Sequence, residues 1–198
     1  IIIYRLTPTH SFDMATMQHG VAALSRAQQL ALLAAFIVGF GVKIPIFPLH
    51  GWLPLAHVEA PSPASILLSG VMLKMGAYGL IRVAGMFPEA MLLVQPWLAT
   101  LAMVNVLYGG LLAWRQSDLK AMVAYSSISH MGVVVLGIAT LNVAGFLGAT
   151  TQMVAHGLSA GALFLMVGLL YERTHSREVT TYAALVRVMP GFAILMTL

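Results

Sequence analysis

Of the 198 residues, 60% are hydrophobic and only 8% charged. Soluble globular domains carry about a quarter charged residues, so the whole chain reads as a polytopic membrane protein. The formal net charge of +4 comes from ten Lys and Arg against six Asp and Glu, an excess suited to orienting helices rather than to gripping nucleic acid. There is no cysteine, which excludes disulfides, iron–sulfur clusters and thiolate metal sites from this chain.

The apolar runs predict an all-α fold, a polytopic transmembrane helix bundle forming a single domain over residues 1–198. The chain opens inside the apolar run IIIY, with no initiator Met and no charged n-region, and closes on PGFAILMTL, which is too short to span alone. It therefore reads as the central piece of a longer subunit. Thr7 to Arg26, with Pro8, His10, Asp13 and His19, is polar enough to be a loop carrying a short surface helix. The first span covers about 27–52 and contains Lys43, Pro45 and Pro48. Proline removes a backbone donor and clashes with the carbonyl four residues back, here Gly41, which predicts a broken helix near Lys43 and Pro45.

A turn from Leu53 to Pro63 leads into a second span at about 62–82, where Pro63 suits a helix start. A third span, about 91–114, has Asn105 and Tyr108 but no charge and reads as scaffold. RQSDLK at Arg115 to Lys120 is a polar loop in which Asp118 is placed to cap the next helix. The fourth span, about 119–140, carries the polar string Tyr125, Ser126, Ser127, Ser129 and His130. The fifth, about 145–170, carries Gln152, His156 and Ser159, and a sixth, truncated, begins near 182 and runs to 198. Alternating loops put Arg5, Arg26 and Arg82 on one side of the membrane. Arg115, Lys120, Arg173, Arg177 and Arg187 fall on the other, which the positive-inside rule makes the cytoplasmic side.

Four titratable residues stand inside the spans: Lys43, Lys74, His130 and His156. An ionised ammonium at the centre of a bilayer costs at least about 2.5 to 3.5 kcal/mol on insertion scales, so such lysines are usually functional. A lysine near a helix end often only snorkels to the headgroups, which is the competing reading for Lys43. Lys74 lies about twelve residues into its span, near mid-membrane at about 1.5 Å per residue. By the same count His130 and His156 reach a similar depth. A lone intramembrane histidine is about as often a packing donor as a proton carrier, but three groups at one depth suggest a single polar line. Lysine and histidine suit proton handling, whereas two histidines without a carboxylate or thiolate make a poor metal site. Ser126, Ser127, Gln152, Ser159 and Tyr78 fall on the faces that would fill the gaps. Gly157 and Gly161 form a GxxxG pair, which reads equally well as close helix packing.

VKIPIFPLHGWLPLAH at Val42 to His57, VMLKMGAYGLIR at Val71 to Arg82, DLKAMVAYSSISHMG at Asp118 to Gly132 and QMVAHGLSAGALFLMVGLLYERTHSRE at Gln152 to Glu178 resemble the antiporter-like membrane subunits of proton-pumping NADH:quinone oxidoreductase, respiratory complex I. The type most resembled is the M-type subunit, the counterpart of subunit four in mitochondria and of the D-type subunit in the photosynthetic relatives. The resemblance implies that Lys43 is the lysine of the broken helix, paired with a glutamate from an earlier helix. It makes Lys74 the central lysine of a proton path, with His130 and His156 extending it. It also implies that NAD(H), flavin, iron–sulfur clusters and quinone belong to partner subunits, with no cofactor in this chain. The subunit would sit among other membrane and peripheral subunits in a bacterial plasma membrane, or in a thylakoid or mitochondrial inner membrane. Leu55, where the family usually has a polar residue, and Ala121, in place of a basic one, depart from the pattern. The same broken helix and lysines occur in multisubunit sodium/proton antiporters and membrane-bound hydrogenases, the alternative reading. A structural anchor whose lysines only meet headgroups is the third.

Overall fold

The computed structural model describes residues 2–6, 10 and 12–197. The predicted loop at Thr7 and Pro8 lies outside the described residues. A short helix, α1 (Ile2–Leu6), precedes α2 (Met14–Ala22). Asp13 caps α2 by accepting from the Thr16 amide at 3.0 Å, and that bond holds its carboxyl below the usual carboxylate range.

The first long helix, α3 (Arg26–Lys43), starts at a capping box in which the Ser25 hydroxyl and the Gln28 side chain each bond the other's backbone amide. It stops at Lys43. The chain turns through residues 44–51 and resumes as α4 (Trp52–Glu59), so the first apolar run is broken into two helices beside Lys43 and Pro45, where the break was predicted. Pro45 has no amide to continue the ladder. The Gly41 carbonyl, which that proline would have left bare, accepts instead from Ile46 N at 2.8 Å.

The second span comprises α5 (Ser62–Leu67), a π-helical turn at Leu68–Met72 and α6 (Leu73–Ala84). Pro63 stands in its first turn, where a missing amide costs nothing. Next, α7 (Pro88–Trp114) begins a few residues before the predicted span, because Pro88 and Glu89 suit a first turn. The helix passes through Pro96 without ending. Asp118 caps α8 (Leu119–Ala139) as its spacing predicts, accepting from the amides of Lys120 at 2.7 Å and Ala121 at 3.0 Å. Asn142 caps α9 (Val143–Thr174), which absorbs half of the predicted YERTHSRE loop and ends at His175 in the left-handed region, φ 52°. After a 3₁₀ turn, α10 (Leu185–Val188) and α11 (Pro190–Thr197) meet at a bend of 119°.

Among the described residues, four helices are long and apolar enough to cross a membrane: Ser62–Ala84, Pro88–Trp114, Leu119–Ala139 and Val143–Thr174. The centre of the bundle is α8, packed between α7 and α9 and buried along Ala124, Ile128, Met131, Val134, Val135 and Ile138. Small residues let neighbouring helices close in. A Cβ on Gly157 would stand 2.9 Å from the Gly70 carbonyl, so α9 crosses the π turn backbone against backbone. One member of the predicted GxxxG pair therefore marks a packing contact.

Candidate functional site

The π turn ends at Met72, and Lys74 is the second residue of the α-helix that resumes at Leu73. A π turn widens the helix by one residue per turn and often accompanies functional sites. Here the Lys74 ammonium reaches back to bond the carbonyl of Ser69, inside the turn. The same Nζ lies 2.7 Å from His156 Nδ1 on α9. His156 is buried, and its Nε2 stands 3.1 Å from Ser127 Oγ on α8. Ser127 in turn donates to the Val123 carbonyl at 3.1 Å, and Ser69 Oγ lies 3.5 Å from Ser127 Oγ. An ammonium can only donate, so His156 accepts at Nδ1, carries its proton on Nε2 and donates that proton to Ser127. Three helices thus supply one connected line of donors and acceptors at mid-span.

His130 stands beside this line on the exposed side of α8. Its ring centroid is 5.3 Å from that of His156, and its Nδ1 is 3.0 Å from Gln152 Nε2. The single polar line expected from equal depth is corrected to this extent: His130 adjoins His156 but remains exposed. Of the expected gap fillers, Ser127 joins the line and Gln152 bonds only His130 beside it. Ser126 bonds the Val123 carbonyl, Ser159 bonds that of His156, and Tyr78 is 59% exposed.

Lys43 is not joined to the others. It ends α3 at the break, half-buried, with no hydrogen-bond partner among the described residues. Its stem packs on Gly76, where an added Cβ would meet Lys43 Cβ at 3.0 Å. A cavity of about 410 Å³ beside it is lined by Phe36, Gly39, Phe40, Met75 and Gly76. Met75 also lines a larger groove, about 620 Å³, that borders Lys74.

Two residues read as bland turn out to be structural keys. Asn105, assigned to scaffold, is fully buried and holds the break: its Oδ1 accepts from Phe47 N at 2.7 Å and its Nδ2 donates to Pro45 O at 2.9 Å. A lone Asn in an otherwise apolar span was the available signal. Lys120, counted among the loop charges, is 5% exposed and bonds the Ala60 carbonyl at the end of α4. Arg177 bonds the Val58 carbonyl at 2.8 Å and pairs with Asp118 at 3.3 Å. No group of three or more His, Cys, Asp or Glu that could hold a metal ion occurs among the described residues.

Four helices long and apolar enough to cross a membrane, with a lysine–histidine pair between them at mid-span, make this a polytopic membrane protein. The chain belongs to the family described as NADH:quinone oxidoreductase/Mrp antiporter, TM, which matches residues 1–198. It is 49% identical over 181 residues to NAD(P)H-quinone oxidoreductase chain 4 of Synechococcus elongatus, covering 91% of this chain and 34% of that protein. The fold is similar to a chain of respiratory complex I from Thermus thermophilus, with a TM-score of 0.89 and 33% identity over 98% of this chain and 41% of the other. It is also similar to a chain of an archaeal membrane-bound sulfane sulfur reductase, with a TM-score of 0.90 and 26% identity over 99% of this chain and 40% of the other. The chain spans about a third of the length of the curated relatives it matches.

Proposed function

We propose that this chain is the proton-carrying core of a membrane subunit of an NADH or NAD(P)H:quinone oxidoreductase, driven by electron transfer in partner subunits. Lys43, Lys74, His130 and His156 carry the proton. NAD(H), flavin, iron–sulfur clusters and quinone belong to the partners, and this chain takes part in the enzyme only as a subunit. The observation that carries the reading is the line Lys74, His156, Ser127, in which each atom has the donor or acceptor role that proton transfer needs. A proton passed from Lys74 Nζ to His156 Nδ1 leaves a neutral amine and an imidazolium, which can release its Nε2 proton. The 49% identity to an NAD(P)H-quinone oxidoreductase chain favours this complex over a sodium/proton antiporter. It also favours a bacterial plasma membrane or thylakoid as the location.

The test is Lys74→Met in the full-length subunit within its complex, since Met fills similar volume without the charge. Electron transfer and proton uptake are measured in sealed vesicles. Assembly is expected to survive and protons moved per electron to fall sharply; unchanged pumping contradicts the proposal.

A further inference from the structure

His57 lies on α4 and is wholly buried, its ring stacked on Phe164 of α9 with centroids 4.4 Å apart. Neither Nδ1 nor Nε2 has a hydrogen-bond partner among the described residues. Buried ring nitrogens are nearly always paired, so two bare ones on a single ring call for an explanation. Its stacking partner Phe164 lies on α9 between His156, eight residues before it, and Gly168, four residues after it.

A face of hydroxyls runs the same way. Ser62, Ser65 and Ser69, spaced three and four residues apart, fall on one side of α5 and the π turn. Ser62 lines a cavity of about 530 Å³ together with Glu59, Lys120, Glu172 and Arg177. Ser65 is fully buried and bonds the His57 carbonyl at 3.3 Å. Ser69 is fully buried, 3.5 Å from Ser127 Oγ, the group that also meets His156. Serines in membrane helices commonly do no more than satisfy backbone carbonyls. The serine face alone would carry no inference. The two bare nitrogens of His57 give it a direction, because Phe164 under the ring lies on α9 between Gly168, which lines that cavity, and His156.

We propose that His57 passes protons between the polar cavity beside Glu59 and Lys120 and the Lys74–His156 pair, with water bridging along the Ser62, Ser65 and Ser69 face. This rests on the proposed proton-carrying role of Lys74. One ring nitrogen takes a proton from a protonated water on the cavity side: an O–H bond of hydronium breaks, neutral water remains, and the new N–H bond makes the ring an imidazolium. The other nitrogen then breaks its N–H bond and gives that proton to a water toward Ser127 and His156, forming hydronium there. The ring returns to neutral with its tautomer exchanged, and no electron moves.

The test uses the full-length subunit in its assembled complex, with three variants read side by side in sealed vesicles. His57→Phe keeps a ring on Phe164 without nitrogens, His57→Gln keeps polar atoms that cannot carry a proton at neutral pH, and Lys74→Met is the reference. Both His57 variants are expected to slow redox-driven proton uptake at least tenfold in complexes that assemble to normal yield. Normal uptake in either, beside a defective Lys74→Met, overturns the His57 relay and leaves the Lys74 role standing. Normal uptake in Lys74→Met overturns the role on which the relay rests. A mutation-free check is a wild-type structure that resolves water: ordered water bonded to His57 supports the relay, and a dry ring with both nitrogens bare contradicts it.

Discussion

Asn105 makes the sharpest residue-scale claim. Its two hydrogen bonds go to Pro45 and Phe47, some sixty positions earlier in the chain, and both are made inside the bundle. A buried donor or acceptor left unpaired costs about 1–3 kcal/mol. Asn105→Leu, nearly isosteric, strands one of each, so a loss of about 2–5 kcal/mol is expected. The measurement is the thermal transition of the purified complex beside an Asn105→Gln control; an unshifted transition contradicts the clamp. Pro45 made the break legible in the sequence, because a proline's missing amide is a local fact. What holds the break was not legible, since it depends on a partner brought near only by the packing of α7 on the turn. Lys120 escaped notice for the same reason. It follows a loop in sequence, but the end of α4 folds over it.

At the scale of elements, magnitude decides what Asp118 does. Its pairing with Arg177 is partly exposed, each side chain about 30% accessible, and exposed pairs contribute about 0–1 kcal/mol. Its two bonds to the first amides of α8 form an N-cap, where replacement by alanine costs about 0.5–2 kcal/mol. Asp118→Asn keeps the cap and loses the charge, so denaturation midpoints should fall clearly more for Asp118→Ala than for Asp118→Asn; equal losses would mean that the ion pair, not the cap, stabilises this end of α8. The crossing of α9 on the π turn supplies a second prediction. A valine at Gly157 must push back the Gly70 carbonyl, which separates Lys74 from His156. Gly157→Ala already brings a Cβ to 2.9 Å from that carbonyl, so both Gly157→Ala and Gly157→Val are expected to reduce proton uptake below wild type at similar assembly, and wild-type rates in both would argue against a close crossing. The helix itself was legible from its apolar run, but the π turn was not, since Leu68–Met72 contains no proline and its Ser69–Gly70 pair permits a turn without requiring one.

Across the whole molecule, polar groups gather at two levels. One is the membrane face where Lys120 and Arg177 grip the carbonyls of α4; the other is mid-span, where α6, α8 and α9 present Lys74, Ser127 and His156 to one another. Counting residues from each helix start placed Lys74 and His156 at one depth, because helical rise is nearly constant. That count could not say which way His130 turns or that Lys43 stands apart, since both depend on helix rotation and on the turn after Lys43. The central claim is that Lys74 and His156 act as one unit. A double-mutant cycle on proton uptake, using Lys74→Met, His156→Gln and both together in the assembled complex, tests it most directly, because groups acting as a unit are strongly non-additive. The account predicts a double variant no slower than the worse single one; losses that multiply would show two independent contributions and contradict it.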